Sequence, residues 1–290
     1  MTSPADGPAV TAVIPCHDDF DLLHRTLAAL AVQDVPDGSL EVVCVDNNST
    51  DGGIHRIVRD YWHRLPITVI QQPLLDHPYA LCRARNLGIG VARGEWIWTL
   101  DSDCCPERGA ARAILNAVGD GDGPLILTGE RRFVDAGGIS AADIVGDEMA
   151  LSRARSVASA SNYHLPIDRR FPDIRRLPDL PQPWDMMHGG NTAFRKADAV
   201  RVGGYDEAFD GTWGYEDDEF AHRIITVAGA VPRFVKGMVV YHQEPAENRK
   251  RSDRPDKANN PNWHRVCSLI PGYREYKLAR FSAAGVRVTV

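Results

Sequence analysis

The chain has 290 residues, of which 43% are hydrophobic and 25% are charged, as in ordinary globular proteins. This composition excludes a disordered chain, a collagen-like repeat and a small scaffold held together by disulfides. The longest purely apolar run, residues 27–32, is far shorter than the roughly 20 residues of a membrane-spanning helix. Residues 1–10 contain no Lys or Arg and no apolar core, so no signal peptide is expected and a cytoplasmic location is predicted.

The net charge limits the kinds of binding partner to be expected, and the spacing of the cysteines indicates the redox state of their thiols. Asp and Glu outnumber Lys and Arg by 39 to 33, a formal charge of −6. An acidic chain binds nucleic acid poorly, so no nucleic-acid partner is expected, although a nucleotide can still bind at a local site. The six cysteines form no C-x-x-C pair, and several lie in apolar runs, so reduced thiols are expected.

The first part of the chain alternates short apolar strands with helices that have one apolar face. Strands are predicted over residues 10–14, 40–45, 67–71, 96–100 and 125–128. Helices are predicted from residue 21, over 54–62, over 79–92 and from Pro106. This alternation predicts an α/β fold with a mostly parallel sheet covered by helices on both faces. Ligands of such folds bind beyond the carboxyl ends of the strands, where two of these strands end in acidic turns.

The second part of the chain is less regular. A helix is predicted around residues 140–159, followed by a proline-rich passage that we interpret as part of the surface that selects the second substrate. A helix over 216–228 and strands over 233–235 and 238–242 come next. Five Lys and Arg within residues 243–262 indicate a charged loop there.

Two carboxylates two residues apart, Asp101 and Asp103, follow the predicted strand at 96–100. Both can point into one cleft, which suits a hard divalent cation whose other ligands are phosphate oxygens. His242 follows another predicted strand and could complete a nitrogen and oxygen site acceptable to manganese. Acidic turns and single histidines are also common as ordinary polar groups, so spacing alone leaves both interpretations open.

Four consecutive acids, residues 216–219, begin a predicted helix. Carboxylates there interact favourably with the positive end of the helix dipole, and we favour this explanation for Asp218 and Glu219. The glycines on either side of Thr212 and Trp213 let the backbone approach a ligand, and Trp213 adds an aromatic wall. Repulsion between carboxylates in a cleft could also hold one of them at a pKa suited to a general base.

Two arginines, Arg83 and Arg85, lie in the predicted helix over 79–92. As ordinary helix residues they would be exposed to solvent. As functional residues, their guanidinium groups could bind a phosphate. The sequence does not decide between the two.

Taken together, these residues resemble a family 2 glycosyltransferase with the GT-A fold. Val-Ile-Pro-Cys-His at 13–17, Val-Asp-Asn-Asn-Ser-Thr-Asp-Gly at 45–52, Ala-Arg-Asn-Leu-Gly at 84–88 and Asp-Ser-Asp at 101–103 occur in the family's order. A later set is similar to the carboxy-terminal motif shared by chondroitin polymerases, β-1,4-galactosyltransferases and polypeptide N-acetylgalactosaminyltransferases. It comprises Gly-Gly-Asn-Thr-Ala-Phe-Arg-Lys at 189–196, Gly-Gly-Tyr-Asp-Glu-Ala-Phe at 203–209 and Trp-Gly-Tyr-Glu-Asp-Asp-Glu-Phe at 213–220. The resemblance covers about residues 10–245.

The resemblance implies a Rossmann-like, mostly parallel central sheet flanked by helices, with a smaller acceptor-side region, and it implies roles for individual residues. Asp46 would accept a hydrogen bond from the uracil imide, and Asp101 would lie near the ribose. The full set of implied donor-binding residues is Pro15, His17, Asp46, Arg85, Asp101, Ser102 and Trp213. Asp103 and His242 would bind Mn²⁺ or Mg²⁺. Asp217 matches the catalytic base, and Glu216 would hold an acceptor or sugar hydroxyl.

Two positions depart from the family pattern. Asn47 and Asn48 replace the usual Asp-Gly of the turn after the second strand, which makes the preference for uracil less secure. Tyr215 replaces a glycine of the galactosyltransferase version, and a larger residue there could change which donor sugar or acceptor fits.

The predicted function is an inverting, metal-dependent transfer of a sugar from a nucleotide-sugar donor, a UDP sugar, to a hydroxyl or amine of a small-molecule or glycan acceptor. Residues 1–128 would form the nucleotide-sugar-binding half and 129–242 the acceptor-binding and catalytic half. Residues 243–290 would form a charged lid loop and a C-terminal tail.

Two other functions are considered. A sugar nucleotidylyltransferase should carry a glycine-rich, basic loop after the first strand, whereas residues 15–19 contain no glycine. A non-catalytic module that binds nucleotide sugars or glycans should have lost the acids, whereas Asp101, Asp103 and Asp217 are all present.

Overall fold

The computed structural model describes residues 7–50, 52–73, 80–119, 123–159, 168–244 and 259–283. The strands are β1 (Val10–Cys16), β2 (Leu40–Asp46), β3 (Ile67–Gln71), β4 (Trp96–Thr99), β5 (Cys104–Pro106), β6 (Leu125–Thr128), β7 (Arg131–Asp135), β8 (Arg155–Ser156), β9 (Thr192–Arg195), β10 (Val231–Phe234) and β11 (Val240–Glu244). The helices are α1 (Phe20–Ala31), α2 (Gly53–Arg59), α3 (Leu81–Val91), α4 (Ala110–Val118), α5 (Ala141–Gly146), α6 (Phe171–Ile174), α7 (Lys196–Arg201), α8 (Glu216–Thr226), α9 (Pro261–Leu269) and α10 (Tyr273–Ala283).

Seven strands form the central sheet, in the order β10-β6-β9-β4-β1-β2-β3. All neighbouring strands are parallel except β9, which is antiparallel to both β4 and β6. The prediction of an α/β fold with a mostly parallel sheet is therefore confirmed. Because β1, β2 and β4 run side by side in one direction, the turns that follow them lie at the same edge of the sheet.

The buried side chains of β1 divide between two faces of the sheet. Val10, Ala12 and Ile14 belong to one hydrophobic cluster with α1, whereas Val13 belongs to another that includes Phe220 of α8. This alternation follows from the two-residue period of a strand. Both faces are apolar, which explains why β1 and β2 are buried at every residue and consist of apolar residues except for Thr11, Glu41 and Asp46.

A second sheet of four strands, in the order β5-β11-β7-β8, was not predicted. β11 is antiparallel to β5 and parallel to β7, which places His242 opposite Cys104 on one side and Phe133 on the other. β5 has three residues and β8 has two. Segments this short carry too little periodicity to be recognised in a sequence.

Two predicted helices differ from the observed ones. Pro106 ends β5 instead of opening a helix, and α4 begins four residues later at Ala110. The helix predicted over residues 140–159 is confined to α5. It begins with a capping box between Ser140 and Asp143, and it ends where Asp147 takes an extended conformation.

Residues 261–283, which the sequence analysis describes as part of a tail, form the helices α9 and α10. The Asn260 side chain caps α9 by accepting from the backbone N–H groups of Asn262 and Trp263, and Pro261 occupies the first turn. Trp263 and Tyr273 are buried in the same cluster as α8. The predicted lid loop, with its cations at residues 249–257, lies outside the described residues.

Among the residues that the structure describes, no helix is both long and apolar enough to cross a membrane. All six cysteines are described and none is in a disulfide, as the sequence predicts. Five of the six are buried within the fold, and Cys267 is half-buried.

Candidate active site

The turns after β1 and β2 are tied to each other at the edge of the central sheet. The backbone N–H of Asn47 donates to Cys16 O at 2.8 Å, and Nδ1 of the exposed His17 lies 2.8 Å from Asn47 O. Asp46 Oδ1 accepts from the backbone N–H and the hydroxyl of Ser49 at 3.0 and 2.6 Å. Pro15 is buried within β1, opposite Val45. These contacts hold Asp46, Pro15 and His17 close together.

The two asparagines that depart from the family pattern have structural reasons. Asn48 has a φ of 57°, a left-handed conformation that glycine adopts freely and asparagine tolerates. Asn47 accepts a hydrogen bond from the buried Gln72 side chain at 3.0 Å. Asn48 thus adopts a conformation that the glycine of the family pattern could also adopt, and Asn47 has a specific hydrogen-bond partner.

Arg85 of α3 lies at the centre of the acidic residues. Its guanidinium group is 2.8 Å from Asp217 Oδ1 and 3.3 Å from both Glu216 Oε1 and Asp101 Oδ1. The sequence left open whether Arg83 and Arg85 are ordinary exposed helix residues. The structure excludes this for Arg85, which is 1% exposed, whereas Arg83 is half-buried. The three acids come from segments 16 to 132 residues away, so nothing near Arg85 in the sequence signals its burial.

Two glycines allow the backbone to approach this cluster. A Cβ atom at Gly189 would lie 2.1 Å from Arg85 Nη2 and 2.6 Å from Asp217 Oδ1. A Cβ atom at Gly190 would lie 2.7 Å from Asp101 Oδ2. The backbone N–H of Gly189 also donates to Asp217. The glycine pair was visible in the sequence as a motif, but the residues that it contacts were not.

The first turn of α8 presents Glu216 and Asp217 in different environments. Burial, together with the charge of Asp217, raises the pKa of Glu216 to about 8. Burial also raises the pKa of Asp217, although Arg85 and the N–H of Gly189 oppose this shift. The Asp217 side chain keeps 25% of its surface exposed, against 7% for Glu216. Asp217 is therefore the more accessible of these two carboxylates.

The remaining two acids of α8 have specific partners. Glu219 pairs with Arg223, one helical turn later, through two bonds of 2.5 and 2.7 Å. Asp218 accepts from the hydroxyl of Tyr273 at 2.5 Å and lies 2.7 Å from Lys277 Nζ. These ion pairs add to the favourable dipole interaction that the sequence suggests.

Asp103 and His242 form a candidate metal pair. Asp103 Oδ2 lies 3.4 Å from His242 Nε2, and together with Cys104 Sγ they offer ligand atoms within 4.8 Å of one another. His242 lies within β11 instead of following a strand, and its Nδ1 is 3.2 Å from Glu244 Oε1. Nδ1 is buried and makes no hydrogen bond to any residue that the structure describes, so its contact with Glu244 is electrostatic only. A carboxylate oxygen and an imidazole nitrogen suit Mn²⁺, and to a lesser degree Mg²⁺, whereas these ions do not prefer sulfur ligands.

Near Asp103 and His242, two arginines lie on either side of His188. No local pattern in the sequence indicates this arrangement. Arg131 Nη2 is 3.2 Å from His188 Nδ1, and Arg169 Nη2 is 3.3 Å from His188 Nε2. Burial and the neighbouring Arg170, Arg131 and Arg169 hold the pKa of His188 well below its usual range, so the imidazole is neutral. Arg131 also stacks on Phe133, whose ring is 5.2 Å from that of His242.

The last two predicted donor residues lie at the rim of this region. Ser102 accepts through its backbone oxygen from the Thr26 hydroxyl at 2.8 Å, and its side chain is half-buried. Trp213 is 37% exposed, and its backbone oxygen accepts from the Asn260 side chain at 3.1 Å. An exposed aromatic ring next to the acidic turn of α8 is consistent with a wall of a binding cleft.

The fold is that of the GT-A class of glycosyltransferases. GalNAc-T7 with UDP, GalNAc and Mn²⁺ has the same fold, with a TM-score of 0.64 at 18% sequence identity over 97% of this chain and 51% of that chain. The GT-A fold predicted from the motifs is confirmed.

The sequence comparisons place the chain within this class. Residues 11–201 match Glycosyl transferase family 2, and residues 169–243 match the N-terminal domain of galactosyltransferase. The chain belongs to glycosyl transferase family 2, which confirms the predicted membership. Both matches end before α9 begins.

Two curated relatives illustrate the range of similar proteins. The chondroitin synthase of Pasteurella multocida (strain Pm70) is 31% identical over 256 residues, which is 84% of this chain and 26% of that protein. The validoxylamine A glucosyltransferase of Streptomyces hygroscopicus subsp. limoneus is 30% identical over 223 residues, 75% of this chain and 48% of that protein. The chain thus spans about a quarter to a half of the length of these relatives.

Proposed function

We propose that the protein transfers a sugar from a UDP sugar to a hydroxyl or amine of an acceptor, with inversion at the anomeric carbon. The observation that carries the proposal is the position of Asp217. Its side chain is partly exposed, its pKa is raised by burial, and Arg85 and the Gly189 N–H fix its orientation. A general base needs such an orientation and a proton affinity above that of an ordinary aspartate.

In the proposed reaction, the acceptor oxygen or nitrogen attacks the anomeric carbon from the face opposite the diphosphate. The bond between that carbon and the diphosphate oxygen breaks, and Asp217 takes the proton of the acceptor. A single displacement without a covalent sugar–enzyme intermediate inverts the configuration. Glu216 carries its own proton near neutral pH, so it adds no second full charge next to Asp217. We assign Glu216 to holding an acceptor or sugar hydroxyl.

The strand-end turns, residues 15–18, 46–50 and 100–103, form the proposed donor site. Asp46 would accept from the uracil imide, with Pro15 and His17 lining the base and ribose. Asp101 and Ser102 would lie near the ribose, and Trp213 near the transferred sugar. The shared position of these turns at one sheet edge supports the assignment.

For Arg85 we propose a different role from the one that the motif implies. Its guanidinium group already contacts Asp101, Glu216 and Asp217 and is 1% exposed. We therefore assign Arg85 to orienting the base and to limiting the rise of its pKa, instead of to binding the diphosphate. In this role Arg85 would link the two proposed halves of the domain, because Asp101 belongs to residues 1–128 and Glu216 and Asp217 belong to residues 129–242.

Asp103 and His242 would hold Mn²⁺ or Mg²⁺, which when bound neutralises the charge that develops on the leaving diphosphate. Arg131 and Arg169 add positive charge beside this pair. The Mn²⁺ in GalNAc-T7, a structure of the same fold, supports the choice of a divalent ion.

The names of the two relatives suggest two kinds of acceptor. A relative named as a validoxylamine A glucosyltransferase favours a small molecule, and one named as a chondroitin synthase favours a glycan. We propose that one of these two kinds of acceptor binds over Asp217, next to the proline-rich passage of residues 168–186.

The test is a screen of nucleoside diphosphate sugars with Mn²⁺, which measures release of the nucleoside diphosphate and the anomeric configuration of the product by NMR. The proposal expects UDP release and an inverted anomeric centre. Release of pyrophosphate from UTP and a sugar 1-phosphate would instead identify a nucleotidylyltransferase. Binding of UDP sugars without any turnover across acceptors of both kinds would favour the non-catalytic module.

A further inference from the structure

The helices α9 and α10 lie against the loop that carries the candidate base. We name residues 209–218 the base loop. The side-chain amide of Asn262 lies 2.8 to 3.1 Å from three backbone carbonyls of this loop, those of Phe209, Thr212 and Gly214. Asn260 donates to a fourth carbonyl, that of Trp213, at 3.1 Å. Both asparagines are buried, so the first turn of α9 fixes the path of the base loop.

The strained residue of the base loop also rests on these helices. Tyr215, directly before Glu216, has a φ of 73°, which is unfavourable for a residue with a Cβ atom. Its ring packs against those of Trp263 and Tyr273, with centroids 5.4 and 6.4 Å apart. Strained backbone of this kind persists only where the surroundings hold it.

A buried network of charges joins α10 to the first turn of α8. Lys277, 3% exposed, lies 2.7 Å from Asp218 Oδ2 and also contacts Asp185. Tyr273 donates its hydroxyl to the same oxygen of Asp218, and Arg280 is 2.9 Å from Asp185. Asp218 is adjacent to Asp217, so α10 carries the cation that balances the charge next to the candidate base.

We propose that α9 and α10 are a positioning element for Asp217, in which Lys277 and Tyr273 hold Asp218 and thereby set the orientation of the base and the charge around it. This inference rests on the proposed function. Lys277 and Tyr273 are positioning residues, since they act through Asp218 and contact no reacting atom. Both lie beyond the two regions of family similarity.

The charges that face Asp217 come from four segments of the chain. Arg85 of α3 and the N–H of Gly189 stabilise its charged form, whereas Asp101 and Asp218 disfavour it, and Glu216 lies next to it in the protonated form. Replacing Asp218 by asparagine removes one negative charge and leaves Lys277 in place. The pKa of Asp217 should then fall, and the acid limb of the pH profile should move to lower pH.

The first experiment uses Tyr273→Phe, which removes one hydroxyl, and Lys277→Met, which keeps the length of the side chain. We expect kcat to fall by about tenfold or more because the base shifts, while the Kd for UDP changes by less than about twofold. Glu275→Gln on the exposed side of α10 is the matched control and should keep full kcat. The melting temperature of each variant checks that it is folded.

The second experiment records kcat/KM against pH for Asp218→Asn, and kcat for the double variant Lys277→Met/Asp218→Asn. The acid limb should move down by about half a pH unit, and the neutral pair should recover part of the kcat lost in Lys277→Met. An unchanged acid limb together with normal kcat in Tyr273→Phe would overturn the inference. A merely structural role predicts lower stability without a change in the pH profile.

Asp217→Asn separates the two proposals. If its turnover is lost while the α10 variants behave like the unmodified protein, the positioning inference is wrong and the proposed function stands. If Asp217→Asn itself retains normal turnover, the base assignment is wrong, and the inference that rests on it is wrong as well.

Discussion

The two sides of the candidate site are held by different forces. The strand-end turns are fixed mainly by hydrogen bonds to backbone groups and hydroxyls of neighbouring turns, such as those of Asp46 with Ser49. The base loop is held by hydrogen bonds from Asn260 and Asn262 and, unlike the turns, also by buried charges, with Arg85 on one side and Lys277 on the other. A single hydrogen bond contributes only modestly to net stability, whereas a buried ion pair that loses one partner leaves an uncompensated charge. We therefore expect single substitutions to disturb the base side far more than the donor side.

The strongest test of this difference is Asp217→Asn. The change barely alters the volume of the side chain but removes its capacity to accept a proton. We expect turnover to fall by about 10²–10⁴, the usual loss for a general base. The Kd for UDP, measured by titration calorimetry, should stay within about twofold because the donor binds at the strand-end turns. Equal losses in turnover and UDP affinity would indicate a distorted cleft instead of a missing base.

Gly189→Ala tests whether the site requires the backbone at Gly189 to lie directly against Arg85 and Asp217. The new methyl group would lie 2.1 Å from Arg85 and 2.6 Å from Asp217, so one of them must move. We expect turnover to fall by about 10²-fold, which a displacement of roughly 1 Å can cause. Gly90→Ala in α3 is the control, because a Cβ atom there meets nothing within 4 Å. Equal turnover of the two alanine variants would contradict the described packing.

On the donor side, Asp103→Ala tests whether Asp103 is a metal ligand. Loss of a residue that only supports a metal ligand typically lowers metal affinity by roughly 10–100-fold. Loss of Asp103, a proposed ligand itself, should lower the Mn²⁺-dependent affinity for UDP by at least as much. The measurement is the thermal shift produced by UDP with Mn²⁺ and with EDTA. Asp37→Ala, an exposed acid, serves as the control. If Asp103→Ala keeps the full Mn²⁺-dependent shift, Asp103 is not a metal ligand.

The smallest expected effect concerns stability and Glu216. Folding raises the pKa of Glu216 from its ordinary 4.5 to about 8, so its contribution to stability is complete below pH 4.5 and is lost as the pH rises to 8. Urea unfolding should show that the free energy of unfolding falls between pH 5 and 8, and that it falls by about 3 kcal/mol more in the unmodified protein than in Glu216→Gln. Parallel curves for the two proteins would rule out a protonated Glu216.

The donor side was predictable from the sequence because its residues follow apolar strands. Asp46 comes directly after a continuous hydrophobic run, and Asp101 and Asp103 follow another, so the parallel sheet alone brings them to one edge. The prediction of Asp103 with His242 also placed two groups that the structure brings within 3.4 Å.

The base side could be predicted only in part. The acids of α8 are visible as a run, but their partners Arg85, Gly189 and Lys277 come from distant segments, and no local pattern indicates those pairings. The burial of Arg85 was missed because the favourable partners of a charge cannot be deduced from helical periodicity. The antiparallel β9 and the helix α10 were missed for the same reason, since their places depend on contacts far along the chain.

The position of β9 has a consequence for how the protein folds. This strand lies between β4 and β6, and its residues 192–195 come more than 60 positions after β6. Residues 1–128 alone would therefore leave β6 without a neighbouring strand and β4 as an exposed edge of the sheet. The apolar β4 (Trp-Ile-Trp-Thr) is the kind of edge that pairs with other chains. Closing the sheet must wait for a long loop, which slows folding. We therefore do not expect residues 1–128, the proposed nucleotide-binding half, to fold independently.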